Sequence, residues 1–160
     1  MCLAGMTKPF RQMLQQVELP MKDGTTESWQ MLNIASLVEY YCATCPLYRQ
    51  MMERALARHS MPFHVIIYED EVVAGNIVLQ RYAVHMWYAA FLEFGLNTRH
   101  EYGWLCFAAM KRTTVPKVLG QFGGVSKALY KALVDTRHPS LVHGHAVETT
   151  HGHVLLLTKI

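Results

Sequence analysis

Apolar and polar positions divide the chain into windows of two kinds. Where apolar residues return every three or four positions, a helix with one buried face is predicted; short apolar runs bounded by turn residues predict strands. Lys8-Pro9, Leu19-Pro20 and Lys22-Asp23-Gly24-Thr25 punctuate the first stretch, which reads as a peripheral arm over residues 1–27 with a short helix around Phe10–Val17. Thr26 or Ser28 then caps a helix that carries Trp29, Leu32, Leu37 and Tyr40. Pro46 interrupts it, and a second helix over Leu47–His59 sets Leu47, Met51 and Ala55 on one face with Arg49, Glu53 and Arg58 elsewhere.

The pattern then changes to strand length. Phe63–Tyr68 and Val72–Leu79 flank Glu69-Asp70-Glu71 and predict a hairpin around a short acidic turn. Tyr82–Phe94 fits helix or strand, Asn97–Gly103 is a polar connection, and Trp104–Met110 is a buried strand. Beyond Val115-Pro116, a glycine bend at Gly120–Gly124 enters an amphipathic helix that ends before Arg137-His138-Pro139. Two closing strands, Leu141–Val147 and His153–Leu157, are joined through Glu148-Thr149-Thr150. This order predicts an α+β fold of three layers around a mixed sheet, with residues 28–160 as one domain.

Composition adds little that is specific. The 160 residues suffice for a real core, and 51% hydrophobic against 17% charged residues predicts a packed body. No apolar run reaches the roughly 20 residues of a membrane span, and no basic-then-apolar leader begins the chain, so a cytoplasmic protein is expected. The net charge of +3 comes from scattered Lys and Arg, without the basic stripe of a nucleic-acid binder. Cys2, Cys42, Cys45 and Cys106 read as reduced thiols; Cys42 and Cys45 lack the thioredoxin-like context of a redox pair.

The glycine bend changes the picture most. Glycine permits unusual backbone angles and close approach, and a helix N-terminus leaves N–H donors and partial positive charge unpaired. Between a strand and a helix, these make an anion pocket suited to phosphate, or else a tight turn that lets the helix pack on the sheet. Gln121-Phe122-Gly123-Gly124-Val125-Ser126 resembles the phosphate-binding motif [QR]-x-x-G-x-[GA] of the GNAT superfamily of N-acyltransferases, with Ser126 at the last small position. Cys45-Pro46-Leu47-Tyr48-Arg49 is similar to the S-P-x-[YF]-R of some phage and bacterial members, and the acidic hairpin ending in Ala74-Gly75 also looks similar. The resemblance implies a GNAT-like α/β/α fold with a mostly antiparallel central sheet and a shortened C-terminal part. It further implies acetyl- or another acyl-coenzyme A as co-substrate, its pyrophosphate on the amides of Gln121, Phe122, Gly123, Gly124, Val125 and Ser126, with Trp104–Met110 flanking its arm. The acceptor implied is an amine, on a small molecule or a protein.

The chain departs from that family in ways that bear on chemistry. Only Glu148-Thr149-Thr150-His151-Gly152 lies between the last strands, where the family has a helix often bearing a Tyr, and no Tyr follows residue 130. The short C-terminus is more weakly similar to toxin-activating acyltransferases, in which His follows S-P-L; Tyr48 holds that position here. Candidate bases are Glu148 and Glu101, with Glu93 as a further carboxylate; each is otherwise a solvated surface group. His143, His145, His151 and His153 could meet across a terminal hairpin and hold zinc, although no standard ligand spacing is present. Tyr48, Tyr82, Trp87, Tyr88 and Phe91 read as core or as a contact in a homo-oligomer or larger assembly. Three functions are therefore on the table: an acyl-coenzyme A-dependent N-acyltransferase, a non-catalytic structural or interaction protein such as a phage virion component, and a histidine-hairpin metal protein.

Overall fold

In the computed structural model, which describes residues 13–73, 83–135 and 144–159, the first element is an antiparallel hairpin of β1 (Leu14–Pro20) and β2 (Thr26–Leu32). Along β1 every second residue is buried, among them Gln15, Val17 and Leu19. That period of two makes the segment a strand where a short helix was expected, and it belongs to the core. Its turn is set by Asp23, whose carboxylate accepts from the Thr25 amide at 3.0 Å and the Thr25 hydroxyl at 2.6 Å. The expected helix start at Thr26 or Ser28 is likewise corrected: both residues lie in β2, paired with Pro20 and Glu18. Helix α1 (Ile34–Thr44) begins only after Asn33, whose side-chain oxygen caps it by accepting from the Ser36 amide at 3.0 Å.

Helix α2 (Pro46–Arg58) follows directly, with Pro46 in its first turn, where a missing N–H costs nothing. It buries Tyr48, Met51, Met52 and Ala55, while Leu47 is exposed. The central sheet has the order β5-β4-β3-β8, from β3 (Phe63–Val73), β4 (Ala83–Phe91), β5 (Leu105–Lys111) and β8 (Thr158–Lys159). It is mixed: β3 pairs antiparallel with β4 and parallel with β8. The acidic triplet is not a turn. Glu69-Asp70-Glu71 lies inside β3, opposite Trp87, Met86 and His85 of β4, so the connection between the strands falls in residues 74–82, outside the described residues. His85, across the ladder, partners the two outer carboxylates, Glu69 and Glu71, while Asp70 lies on the other face of the strand. The ambiguous window before Phe94 resolves as β4 followed by a 3-10 segment, Leu92–Arg99.

Helix α3 (Gln121–Leu133) packs on the face of the sheet that carries Trp87, alongside β1. Gln15 ties the pieces together. Its side-chain nitrogen donates to the Ala132 carbonyl at 2.8 Å, and its side-chain oxygen accepts from the Asn33 Nδ2 at 3.2 Å, all in a buried setting. β2 lies beside β5, where the Trp29 indole donates to the Ala109 carbonyl at 3.2 Å and meets Trp87 edge-on. The closing hairpin, β6 (His145–Thr149) and β7 (Gly152–Leu156), packs on α1. The result is an α+β fold with a mixed sheet, compatible with three layers, and one core cluster runs from Met13 to Leu156. Among the described residues no helix is long and apolar enough to cross a membrane.

Candidate functional site

After β5 the chain passes through a short turn, Val115–Lys117, and is clamped to the N-terminal hairpin. The Leu119 amide donates to the Pro20 carbonyl at 2.8 Å, and the Lys22 amide to the Lys117 carbonyl at 2.9 Å. Gly120 (φ 78°) and Gln121 (φ 51°) both take left-handed angles and turn the backbone into α3. The Gln121 amide donates to Val118 and the Gly124 amide to Gly120, which leaves Phe122 and Gly123 as the first-turn amides without an acceptor among the described residues.

Beside this turn lies a groove of about 500 Å³ lined by Gly120, Gly123 and Gly124, with Lys127, Lys131 and Glu18 at its sides. Gly123, Lys127 and Lys131 follow at intervals of four along α3 and so share one face. Two ammonium groups and a helix N-terminus against one carboxylate make the groove net positive. The two glycines differ in role. A side chain on Gly123 would meet nothing within 4 Å, whereas a Cβ on Gly124 would stand 2.0 Å from the Leu119 carbonyl oxygen. Gly124 is thus a packing glycine, and Gly123 is the one that leaves the groove open.

The six residues expected to cradle a phosphate are divided by the helix. Gly123 and Gly124 line the groove; Gln121 is exposed; Val125 is fully buried. Phe122 turns to the sheet, stacked on Trp87 at 6.0 Å and against His85 at 5.8 Å. Ser126 faces a smaller cavity of about 120 Å³ on that side, with Glu69, Trp87, Phe122 and Tyr130.

A titratable cluster that the sequence did not single out stands next to Phe122. The His85 Nδ1 lies 2.6 Å from the Glu69 carboxylate, and Nε2 is 3.8 Å from Glu71, which also pairs with Arg112 at 3.0 Å. A carboxylate on one ring nitrogen orients an imidazole and leaves the other nitrogen for proton transfer. The only sequence signal for this cluster was the alternation Glu69-x-Glu71 on a strand, which reading the triplet as a turn conceals.

No family model matches the chain, and no curated protein or solved structure matches it. What the chain can do therefore rests on its own geometry.

The expected bases sit apart from the groove. Glu148 is exposed on β6 opposite His153 in the register, and it lines neither cavity beside α3. Glu101 is exposed and lines a third cavity, on the strands β3 to β5. Glu93 is structural: its carboxylate accepts from the His64 amide at 3.0 Å and holds the His64 ring at 2.7 Å. Cys42 is buried, and desolvation above all pushes its thiol up to about 12, which keeps it protonated and unreactive. Among the described residues no group of three His, Cys, Asp or Glu could hold a metal; of the histidine hairpin, His143 and the side chains of His145 and His153 lie outside them. Tyr48, Trp87 and Phe91 are core rather than surface, Tyr88 is half-buried, and Tyr82 lies outside the described residues.

Proposed function

We propose that this chain binds acyl-coenzyme A at the start of α3 and transfers the acyl group to an amine. The observation that carries the proposal is the net-positive groove at the strand-to-helix bend, open at Gly123 and lined by Lys127 and Lys131. In it the pyrophosphate takes the helix N-terminus and the two ammonium groups as partners. In the reaction the amine nitrogen attacks the thioester carbonyl, a C–N bond forms, the C–S bond breaks, and the thiolate leaves with a proton. The Glu69–His85 pair, packed against Phe122, is the proton acceptor of this proposal in place of Glu148 and Glu101.

Isothermal titration with acetyl-coenzyme A tests it. Binding is expected for the native chain and lost in Gly123→Glu, which places a carboxylate where nothing else stands; His85→Ala retains binding and loses turnover. Absence of heat with the native chain refutes the proposal. A second reading, a non-catalytic structural or interaction protein such as a phage virion component, draws on Phe122, an exposed aromatic ring that stacks on Trp87 at the start of α3. Stoichiometric assembly into a larger particle without coenzyme binding distinguishes it.

A further inference from the structure

The third cavity, of about 600 Å³, is formed from different chemistry. Strand alternation puts Tyr68 and Asp70 on the face of β3 opposite to Glu69 and Glu71, and Tyr88 and Cys106 join them in register from β4 and β5. Trp104 and Glu101, from the segment before β5, and Tyr41 from α1 complete the lining. The Tyr68 ring stands 6.3 Å from Tyr88 and 5.9 Å from Trp104, the latter at 58°, so the rings are inclined around a shared space rather than stacked flat. Two of them are fixed. The Trp104 indole donates to the Thr98 carbonyl at 2.7 Å, and the Tyr88 hydroxyl donates to the Met86 sulfur at 3.4 Å.

The charges point one way. Among the described residues, neither Asp70 nor Glu101 has a side-chain hydrogen bond or ion pair, and no Lys or Arg lines the cavity. Burial foremost, then Cys106 and Asp70, push the Tyr88 phenol up, so its hydroxyl stays neutral. Aromatic faces carry negative quadrupole density and attract cations, most strongly where water is partly excluded. Two unpaired carboxylates repel an anion and gain nothing from a neutral guest. We propose that this cavity binds an organic ammonium ion, held against Tyr68, Tyr88 and Trp104 with Asp70 and Glu101 as its counter-charges. It shares no lining residue with the groove at α3, so it stands whether or not the chain binds coenzyme A.

NMR titration of the full chain with choline, following the Trp104 indole N–H, tests the site. Choline is expected to shift that signal, and the uncharged isostere with carbon in place of the ammonium nitrogen to bind about tenfold more weakly. Asp70→Asn, at an exposed position that leaves the core untouched, should weaken choline about fivefold, and Tyr68→Leu about tenfold, with circular dichroism confirming the fold of each. A peptide bearing trimethyl-lysine that binds more tightly than choline assigns the cation to a protein side chain, and the reverse order to a small molecule. Equal binding of the uncharged isostere overturns the proposal, as does the absence of a shift with both choline and the peptide.

Discussion

Two adjacent glycines should respond in opposite directions to the same added methyl group. At Gly124 the new Cβ would stand 2.0 Å from the Leu119 oxygen, where ordinary contacts begin at 3.4 Å, so one partner must move by more than an ångström. Leu119 cannot yield freely, because its amide is bonded to Pro20 and the neighbouring backbone is tied to Lys22. Overpacking of this kind costs about 1–3 kcal/mol, and a loosened backbone hydrogen bond adds about 1 kcal/mol. The gain from replacing glycine in a helix recovers only about 0.5–1 kcal/mol. Gly124→Ala is therefore expected to lose roughly 1–3 kcal/mol, a fall in Tm of roughly 2–12 °C for a chain of this size. Gly123→Ala meets nothing, keeps the helical gain, and should raise Tm by roughly 1–4 °C. Thermal unfolding followed by circular dichroism reads both. A neutral Gly124→Ala, or a Gly123→Ala that melts earlier than the native chain, would show that the assignment of packing to one glycine and access to the other is wrong.

Other positions make independent claims. The Tyr48 hydroxyl is buried without a partner among the described residues, so Tyr48→Phe should stabilise by about 1 kcal/mol in urea unfolding; a loss of that size would mean the hydroxyl is bonded after all. Gln15→Ala removes a buried bridge between β1, the cap of α1 and α3, and should cost about 2–3 kcal/mol by the same measurement. A cost under half that would show the bridge to be dispensable. In alkali the native state keeps the Cys42 proton, held up to about 12, after the unfolded thiol, near 9.0, has lost it. Stability should therefore fall as pH rises through this window, by up to about 1.4 kcal/mol per unit from this group, and Cys42→Ala should flatten the slope. An unchanged slope in urea titrations across that range refutes the assignment.

How much of this could be read in advance varied with the type of signal. Helix α2 and strand β5 were legible because a proline and an unbroken apolar run mark them locally. The N-terminal hairpin was not, since Trp29 and Leu32 satisfy helical spacing as readily as an irregular strand, and only pairing with β1 decides between them. The glycine bend was found at its place before a helix, but the sequence could not divide its residues between two sides of α3. Phe122 and Gly123 are adjacent in the motif, yet one packs on Trp87 and the other opens to the groove. The Glu69–His85 contact and the ring cluster around Tyr68 depend on strand register. That register is fixed by long-range pairing, so neither was legible.

The acidic triplet in β3 has a bearing on any attempt to alter this chain by insertion or deletion. Three consecutive carboxylates serve two separate compartments, Glu69 and Glu71 on the imidazole side and Asp70 on the aromatic side, divided by a wall one strand thick. Removing or adding a single residue just upstream would carry Asp70 toward His85 and turn its neighbours toward the tyrosines, exchanging the electrostatic character of both compartments at once.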